Sequence, residues 1–301
     1  MVNKVYAILG ATGKIGFPLT EKLLQLGHTV KAIGRDQGKL EALKEKGAQV
    51  FVVNDFEDAN ILSDIFQEVD AVFSFIPPGY TENDYGIYQD KVGKAIKAAI
   101  EKNDVRHVVN LSSIGADLAD KIGPIKGLRR HETRLNSLHK THVLHLRAGS
   151  FMENLFMSIP LIIKNGIFEG ALFGHLRIPM VATKDIAEKA AYFLTRLDFK
   201  GHTVFDFVGP RAFTYTEAAR ILGKAIGKPG LKYVEFTYLD AEKAMVKSGI
   251  APSTARLMME LYETINDGAI KPTQKITPEH QGTTTLEEFA ASFVQVFKEM
   301  E

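Results

Sequence analysis

The sequence predicts an α/β fold in which helices cover both faces of a doubly wound parallel sheet. Three observations support this prediction: strand and helix patterns alternate through the first half, the strand patterns are continuously apolar, and a glycine-rich turn follows the first strand. Continuous apolar runs are typical of strands that are buried on both faces, and helical connections favour parallel pairing. Right-handed crossovers then give the doubly wound topology.

Each predicted element in the first half has its own local signal. Strands are predicted where short apolar runs occur, at 5–9, 29–33, 49–53, 71–76, 107–111 and 142–146. Helices are predicted where apolar residues recur at helical spacing, from Ile15 to Leu24 and at 39–46, 88–100 and 128–138. Pro77 and Pro78 end the fourth strand, because proline cannot donate to a sheet ladder.

The second half of the chain has a different texture. Residues 151–163 are rich in Phe, Met, Leu and Ile, and several glycines follow. An amphipathic helix is predicted at 185–194, a strand at 202–208, and surface helices at 214–226 and 240–248. We interpret 1–150 as one domain and 151–301 as a smaller lobe, with roughly 181–208 packing back on the sheet.

Composition excludes several classes of protein. The 301 residues are 45% hydrophobic, which is enough for a sizeable core, and the net charge of +1 gives no field for nucleic acid or a membrane surface. The absence of cysteine excludes disulfides, thiolate metal sites and a thiol nucleophile. The histidine spacing predicts no metal site, and no apolar run reaches the length of a membrane helix. We therefore expect a soluble cytoplasmic protein.

A glycine-rich turn after the first strand predicts dinucleotide binding. Gly10, Gly13 and Gly16 form a Gly-x-x-Gly-x-x-Gly pattern that opens the first helix. Gly10 permits the tight turn, Gly13 lets the backbone approach a diphosphate, and Gly16 lets the helix pack closely on the strand. Amide groups at the helix start favour the anion. The expected cofactor contacts are Gly10, Thr12, Gly13, Lys14, Ile15 and Gly16.

Residues after the second strand favour NADP(H) over NAD(H). Arg35 lies where the adenosine ribose is expected, and Lys39 follows one helical turn later. Two cations on one side suit a 2′-phosphate. Asp36 argues for NAD(H), since it can bond a 2′-hydroxyl, although it can also cap the next helix. NADP(H) is therefore the preferred cofactor, and NAD(H) remains possible. The alternative interpretation is that Arg35 and Lys39 are ordinary solvated charges.

Further contacts are expected where the other parallel strands end, because ligands sit outside their carboxyl ends. Structural packing is an equally good explanation for each of these residues. The candidates are Asp55 and Phe56 after the third strand, Phe75, Ile76 and Pro77 after the fourth, and Ser112 with Ser113 after the fifth.

With these motifs the chain resembles the NmrA-like group of atypical short-chain dehydrogenases/reductases, which are quinone- and dye-reductase-like NAD(P)-binding proteins. The residues that carry the resemblance span nearly the whole chain: 10–16, 34–35, 110–113, 146–155, 178–187, 208–210 and 214–226. The resemblance implies a Rossmann domain with a small C-terminal substrate lobe, and NADP(H) with Arg35 and Lys39 on its 2′-phosphate. Some members reduce quinones or azo and triphenylmethane dyes, whereas others report redox state to a protein partner without turnover.

The usual acid of the larger superfamily is missing. No tyrosine is followed by lysine four residues later, which counts against alcohol dehydrogenation and sugar-nucleotide epimerisation. Lys126 is our candidate to bond the nicotinamide ribose and stabilise an oxyanion, with Ser112 helping to orient it. The alternative for Lys126 is that it lies on a solvated helix face. His131 could be a titrating donor, but we expect it to be a surface residue.

Hydride transfer to a quinone needs little acid–base machinery, because the protein only orients two flat rings and excludes water. Phe151 and Asn154 directly follow the sixth strand and are the predicted substrate-binding residues. Other apolar residues predicted for the same pocket are Met152, Phe156, Met157, Phe168 and Phe173. The sequence thus predicts an NADPH-dependent reductase of a quinone or another conjugated small molecule. The alternative is a non-catalytic NADP(H)-sensing regulator with a protein partner.

Overall fold

The computed structural model describes residues 3–301, which form an α/β fold around a seven-stranded parallel sheet. The chain's strands are β1 (Val5–Leu9), β2 (Thr29–Gly34), β3 (Gln49–Val52), β4 (Ala71–Ser74), β5 (His107–Ser113), β6 (His142–Ala148), β7 (Ser150–Phe151), β8 (Phe168–Gly170), β9 (Ile178–Val181), β10 (His202–Phe207), β11 (Ala212–Phe213) and β12 (Tyr233–Glu235). The large sheet has the order β10-β6-β5-β4-β1-β2-β3. The strand order reverses at the β1–β4 pair, which is where such sheets bind ligands.

Helices lie on both faces of this sheet, as predicted. They are α1 (Gly16–Gln25), α2 (Gln37–Glu45), α3 (Ala59–Ile65), α4 (Tyr85–Lys102), α5 (Ile125–Leu135), α6 (Ile159–Asn165), α7 (Thr183–Arg196), α8 (Tyr215–Ala225), α9 (Tyr238–Lys247), α10 (Pro252–Asn266) and α11 (Leu286–Met300). Leu23 and Ile186 bury α1 and α7 against one face, while Leu62 and Ile96 bury α3 and α4 against the other. The predicted doubly wound fold is confirmed.

The second half of the chain contributes to both the large sheet and a separate core. β10 pairs in parallel with β6, from His202 opposite Val143 to Phe207 opposite Ala148, so it becomes the edge strand of the large sheet. A third apolar core contains residues of α6, α8 and α11, with Phe168, Phe213 and Phe293 among its fully buried side chains. The predicted division near residue 150 stays a prediction.

The structure adds four helices that the sequence interpretation lacked: α3, α6, α10 and α11. The start of α11 has a recognisable local signal, since Thr285 and Glu288 form a reciprocal capping box. The predicted helices are displaced by up to three residues, because α4 begins at Tyr85 and α5 at Ile125. Within residues 3–301, none of the helices has both the length and the apolar character needed to cross a bilayer. A cytoplasmic location stays a prediction.

Candidate cofactor and substrate cleft

A cleft of about 880 Å³ lies at the carboxyl ends of the strands, between the large sheet and the second half of the chain. Most of the predicted site residues line it together: Gly10, Thr12, Gly13, Lys14, Ile15, Gly16, Arg35, Phe56, Phe75, Ile76, Pro77, Ser112, Ser113, Phe151 and Asn154. The structure does not bring Lys39, Asp55 or Lys126 to the wall of this cleft. The expected cofactor contacts of the residues in the wall stay predictions.

The glycine-rich turn is tightly built at two positions. Gly10 has a φ of +68°, and a β-carbon there would lie 2.7 Å from the Phe75 ring. A β-carbon at Gly16 would lie 2.1 Å from the Gly10 carbonyl oxygen, so any side chain would push the helix off the turn. The turn therefore has the close strand–helix geometry that a bound diphosphate requires.

The start of α1 is available to an anion, unlike the next three helices. Side chains of Asp36, Asp58 and Asp84 cap α2, α3 and α4 by accepting backbone hydrogen bonds. The residue before α1 is Ile15, whose side chain cannot cap, and no cap bond is formed there. The positive end of the α1 dipole thus faces the cleft without a carboxylate of its own, and the residues present fit a dinucleotide diphosphate.

The cations near the expected adenosine position have different surroundings. Arg35 lines the cleft, and its Nη2 donates to the Pro78 carbonyl oxygen at 3.3 Å. Lys39 is not in the cleft wall, and its Nζ lies 3.6 Å from an Asp36 carboxylate oxygen. The other Asp36 oxygen accepts from the Lys39 backbone amide at 3.0 Å, so Asp36 is used as the helix cap. Arg35 is therefore better placed than Lys39 to meet a 2′-phosphate.

Lys14 is a second cation in the cleft wall. Its ammonium lies 4.4 Å from the centre of the Phe156 ring, which is a cation–π distance. Desolvation lowers the pKa of Lys14, and the nearby Glu153 carboxylate partly opposes that effect. A desolvated cation gains more from an added anion than a solvated one. Asp55, in contrast, is exposed and its Oδ1 accepts from the Glu57 backbone amide at 2.8 Å.

Ser112 belongs to a buried polar cluster that sequence reasoning missed. Its Oγ donates to Glu132 Oε1 at 2.6 Å, and Arg147 donates to both Glu132 oxygens at 2.9 and 2.6 Å. Burial opposes ionisation of Glu132, yet the hydrogen bonds from Arg147 and Ser112 outweigh it and lower the pKa. An ionised carboxylate only accepts, so the Ser112 hydrogen points at Glu132. The Ser112 oxygen can therefore accept a hydrogen bond from a ligand but has no hydrogen left to donate, and its catalytic role stays a prediction.

The charged stretch that begins α5 is not one solvated face. Lys126 Nζ lies 2.5 Å from Asp120 Oδ1, and its side chain is 45% exposed, so its role at the nicotinamide ribose stays a prediction. The expectation that His131 is a surface residue is wrong, because His131 is 1% exposed and its Nε2 lies 3.0 Å from Ser74 Oγ. Burial lowers the pKa of His131 to about 3, so it is neutral at physiological pH and does not serve as a titrating donor.

The predicted apolar pocket is only partly correct. Phe151 lines the cleft, but Met152 and Phe168 are buried in the third core. Phe156 stacks on Phe289, while Met157 and Phe173 are on the surface. Met152, Phe156 and Met157 leave the cleft because the polypeptide forms a 3₁₀ helix at Met152–Ser158. Phe168 begins β8 and Phe173 follows that strand, so both lie further along the chain.

The apolar wall of the substrate end comes instead from a part of the chain far away in sequence. The half-buried residues Met258, Leu261, Ile265 and Ile270, from α10 and the segment after it, line the cleft. The helical spacing of Met258, Leu261 and Ile265 is the sequence signal that could have identified this wall. Tyr80, with 49% exposure, adds an aromatic surface, and its carbonyl oxygen accepts from the Ala251 amide just before α10. The cleft thus has a polar end at the glycine turn and an apolar end beneath α10.

Comparison with known proteins agrees with this geometry. Residues 10–144 match the model of the NAD(P)H-binding family. The chain is 28% identical over 298 residues to an NAD(P)H azoreductase of Xenophilus azovorans, covering 96% of this chain and 98% of that protein. Across residues 3–301, no group of three or more His, Asp or Glu side chains is arranged so that it could hold a metal ion.

Solved structures extend the likeness over almost the entire chain. Two crystal structures of an NADPH-dependent quinone oxidoreductase from Escherichia coli cover 95% of this chain. The one complexed with NADPH is 24% identical, with 99% of that chain covered and a TM-score of 0.78; the other is 26% identical, with 98% covered and a TM-score of 0.75. A mutant NmrA structure has the same fold, with 15% identity, 100% of this chain and 97% of that chain covered, and a TM-score of 0.74. The predicted resemblance is confirmed. The chain is an NAD(P)H-binding protein with a Rossmann-type α/β fold, and its residues 10–144 are similar to the NAD(P)H-binding family.

Proposed function

We propose that this protein is an NADPH-dependent oxidoreductase that transfers a hydride to a quinone or another conjugated small-molecule acceptor. The observation that carries the proposal is the continuity of the cleft, which runs from the glycine turn to the apolar wall beneath α10. A flat acceptor in the apolar end would lie against Phe151 and the side chains of α10, next to the dinucleotide site. The names of the azoreductase and quinone oxidoreductase relatives support the same reaction class.

The charges of the cleft support NADPH as the cofactor. Arg35 and Lys14 line the cleft and would hold phosphate groups, and the Asp36 carboxylate that would suit a 2′-hydroxyl already caps α2. When bound, the reduced cofactor supplies the hydride. The glycine turn and the uncapped start of α1 would fix the diphosphate, while Ser112 accepts a hydrogen bond from a ligand amide or hydroxyl.

The protein's own contribution to the chemistry is orientation and exclusion of water. Reduction of a quinone to a hydroquinone takes up one hydride, which carries both electrons, and one proton from solution. The hydrogen of Ser112 is already donated to Glu132, and burial raises the pKa of Tyr85, which disfavours loss of its proton. We therefore assign the proton to water at the cleft mouth, which is reasonable because quinone oxygens are protonated readily once reduced.

The direct test is steady-state oxidation of NADPH by the purified protein with a panel of neutral quinones and azo dyes. We expect one hydroquinone formed for each NADPH consumed, and slower turnover with NADH. Tight NADPH binding with no turnover across the panel would contradict the enzyme assignment. That outcome would favour the alternative of an NADP(H)-responsive regulator, for which a protein partner must then be found.

A further inference from the structure

The substrate end of the cleft carries two basic side chains. Among the described residues that line the cleft, five are charged: Lys14, Arg35, Glu153, Arg177 and Lys271. Lys14 and Arg35 belong to the glycine turn and the end of β2, which form the dinucleotide end. Glu153 is fully engaged, since both of its oxygens accept from the Thr183 amide at 3.0 Å and Oε1 also accepts from the Thr183 hydroxyl at 2.6 Å. Arg177 and Lys271 are the two remaining charged residues, and they lie where a bound acceptor could contact them.

Lys271 is the freer of these two cations. It is exposed and forms no ion pair with any carboxylate of residues 3–301. Arg177 donates to the Ala212 carbonyl oxygen at 3.1 Å and to Glu217 at 3.3 Å, and Arg211 shares the same carboxylate. Arg211 also pairs with Glu287 at 3.4 Å, so these two arginines are balanced by two carboxylates. Lys271 has no such compensation.

A buried carboxylate fixes the segment that carries Lys271. Asp206, at the end of β10, is 1% exposed, and its Oδ2 accepts from the Thr273 amide at 2.5 Å, the Thr273 hydroxyl at 2.9 Å and the Gln274 amide at 2.9 Å. The Asp206 amide in turn donates to the Gln274 side chain at 2.8 Å. Hydrogen bonds to a buried charged group are among the stronger ones in proteins. The backbone just after Lys271 is therefore held firmly at the sheet edge.

The other side of Lys271 is anchored by packing. The Ile270 side chain lies against the turn after β5, where Cδ1 would be 2.7 Å from a β-carbon at Gly115. Gly115 has a φ of +95°, and its lack of a side chain is what admits Ile270. With both flanks fixed, Lys271 loses little further backbone freedom when it binds a ligand. An ordered, uncompensated cation beside an apolar surface is suited to an amphipathic anion.

We propose that the acceptor of this enzyme is an aromatic anion whose sulfonate or carboxylate group is bound by Lys271. This inference rests on the proposed function and adds to it the charge of the substrate. The flat apolar part of the acceptor lies beneath α10, and its anionic substituent faces Lys271. Asp206 acts as a positioning residue through the segment that it holds.

The test compares one naphthoquinone with the same naphthoquinone carrying a sulfonate. In Lys271→Met, kcat/KM for the sulfonate is expected to fall about tenfold, since a hydrogen-bonded charge contributes about 1.5 kcal/mol, while the neutral quinone changes less than about twofold. Lys275→Met is the matched control, because Lys275 is exposed on the same segment and does not line the cleft. Equal effects of Lys271→Met on both quinones, or no effect on either, would overturn the proposal.

Two further measurements distinguish an anion site at Lys271 from a purely structural role of Asp206 and from failure of the proposed function. Asp206→Asn is expected to raise KM for the sulfonate with kcat for the neutral quinone unchanged, whereas a purely structural role would lower both kcat values. If the wild-type protein reduces neither quinone, the proposed function fails on its own. Calorimetric titration of the sulfonate into NADP⁺-loaded wild-type protein and Lys271→Met then decides the anion site, and equal affinity would overturn it.

Discussion

Ser112 Oγ lies 2.6 Å from Glu132 Oε1, and Arg147 donates two hydrogen bonds to the same carboxylate. This arrangement links the carboxyl ends of β5 and β6 to α5 directly beneath the cleft. Ser112 is 3% exposed and Glu132 is 5% exposed, so the cluster is part of the core and yet touches the cleft wall. It therefore couples the stability of the fold to the shape of the site.

Glu132→Gln is expected to lower the free energy of unfolding by about 3 to 5 kcal/mol at pH 7, because it leaves the Arg147 charge buried without a partner. The folded-state pKa of Glu132 is lowered, so the stability that Glu132 contributes is present above the unfolded pKa and is lost as the pH falls through the lower folded value. Urea denaturation at a series of acidic pH values measures both effects. The control is Glu45→Gln, an exposed change on α2 that should stay within about 0.5 kcal/mol.

Two buried histidines should make the protein sensitive to mild acid. Burial lowers the pKa of His131 to about 3 and that of His145 to about 4, while the unfolded chain takes up protons near the ordinary value of 6.5. Stability is therefore complete above pH 6.5 and falls as the pH drops toward the folded values, by about 1 kcal/mol for each histidine between pH 7 and 5.5. His131→Gln should flatten this dependence, whereas exposed His175→Gln should not. An unchanged pH profile in His131→Gln would contradict the assignment.

Gly16→Ala should disrupt cofactor binding through the backbone. A β-carbon at Gly16 would lie 2.1 Å from the Gly10 carbonyl oxygen, so the turn must open and NADPH affinity should fall at least about tenfold. Gly38→Ala on α2 is the matched control, because its nearest contact would be 3.5 Å and alanine favours the helix by up to about 1 kcal/mol. Calorimetric titration with NADPH checks both variants. Equal affinity in the two variants would show that the turn does not hold the diphosphate.

Arg35→Gln tests which nucleotide the cleft prefers. Because Arg35 lines the cleft whereas Lys39 lies outside it, we expect KM for NADPH to rise about tenfold and KM for NADH to change less than about twofold. Lys44→Gln, which is exposed and paired with Glu41 on α2, should leave both values unchanged. A parallel rise of both KM values in Arg35→Gln would place Arg35 outside the 2′-phosphate site.

Lys126→Met decides the role that the sequence assigned to Lys126. In the structure its ammonium is paired with Asp120 and its side chain does not line the cleft, so kcat should stay within about twofold of the wild-type value. The measurement is kcat with a neutral quinone at saturating NADPH. A fall in kcat of a hundredfold or more, with KM unchanged, would instead show that Lys126 is a catalytic residue. Lys121→Met, on an exposed neighbouring position, serves as the control.

Local sequence patterns were sufficient for the fold and for the dinucleotide end of the cleft. The glycine turn could be recognised because its three glycines, the strand before it and the helix after it lie within about twenty consecutive residues. The conformation of such a segment depends mostly on its own residues, through backbone sterics and apolar periodicity. The same reason explains why the six strands of the first half were placed correctly to within a few residues.

Only the tertiary structure decided which polar residues are buried and what covers the substrate end. His131 and Glu132 belong to a basic stretch that is typical of a solvated helix, yet α5 turns both toward the sheet. The cover of the cleft comes from α10, and Lys271 is fixed through Asp206 by bonds that span 67 residues of chain. Such contacts depend on how distant elements pack, and that packing leaves no periodic trace in the segments that it joins.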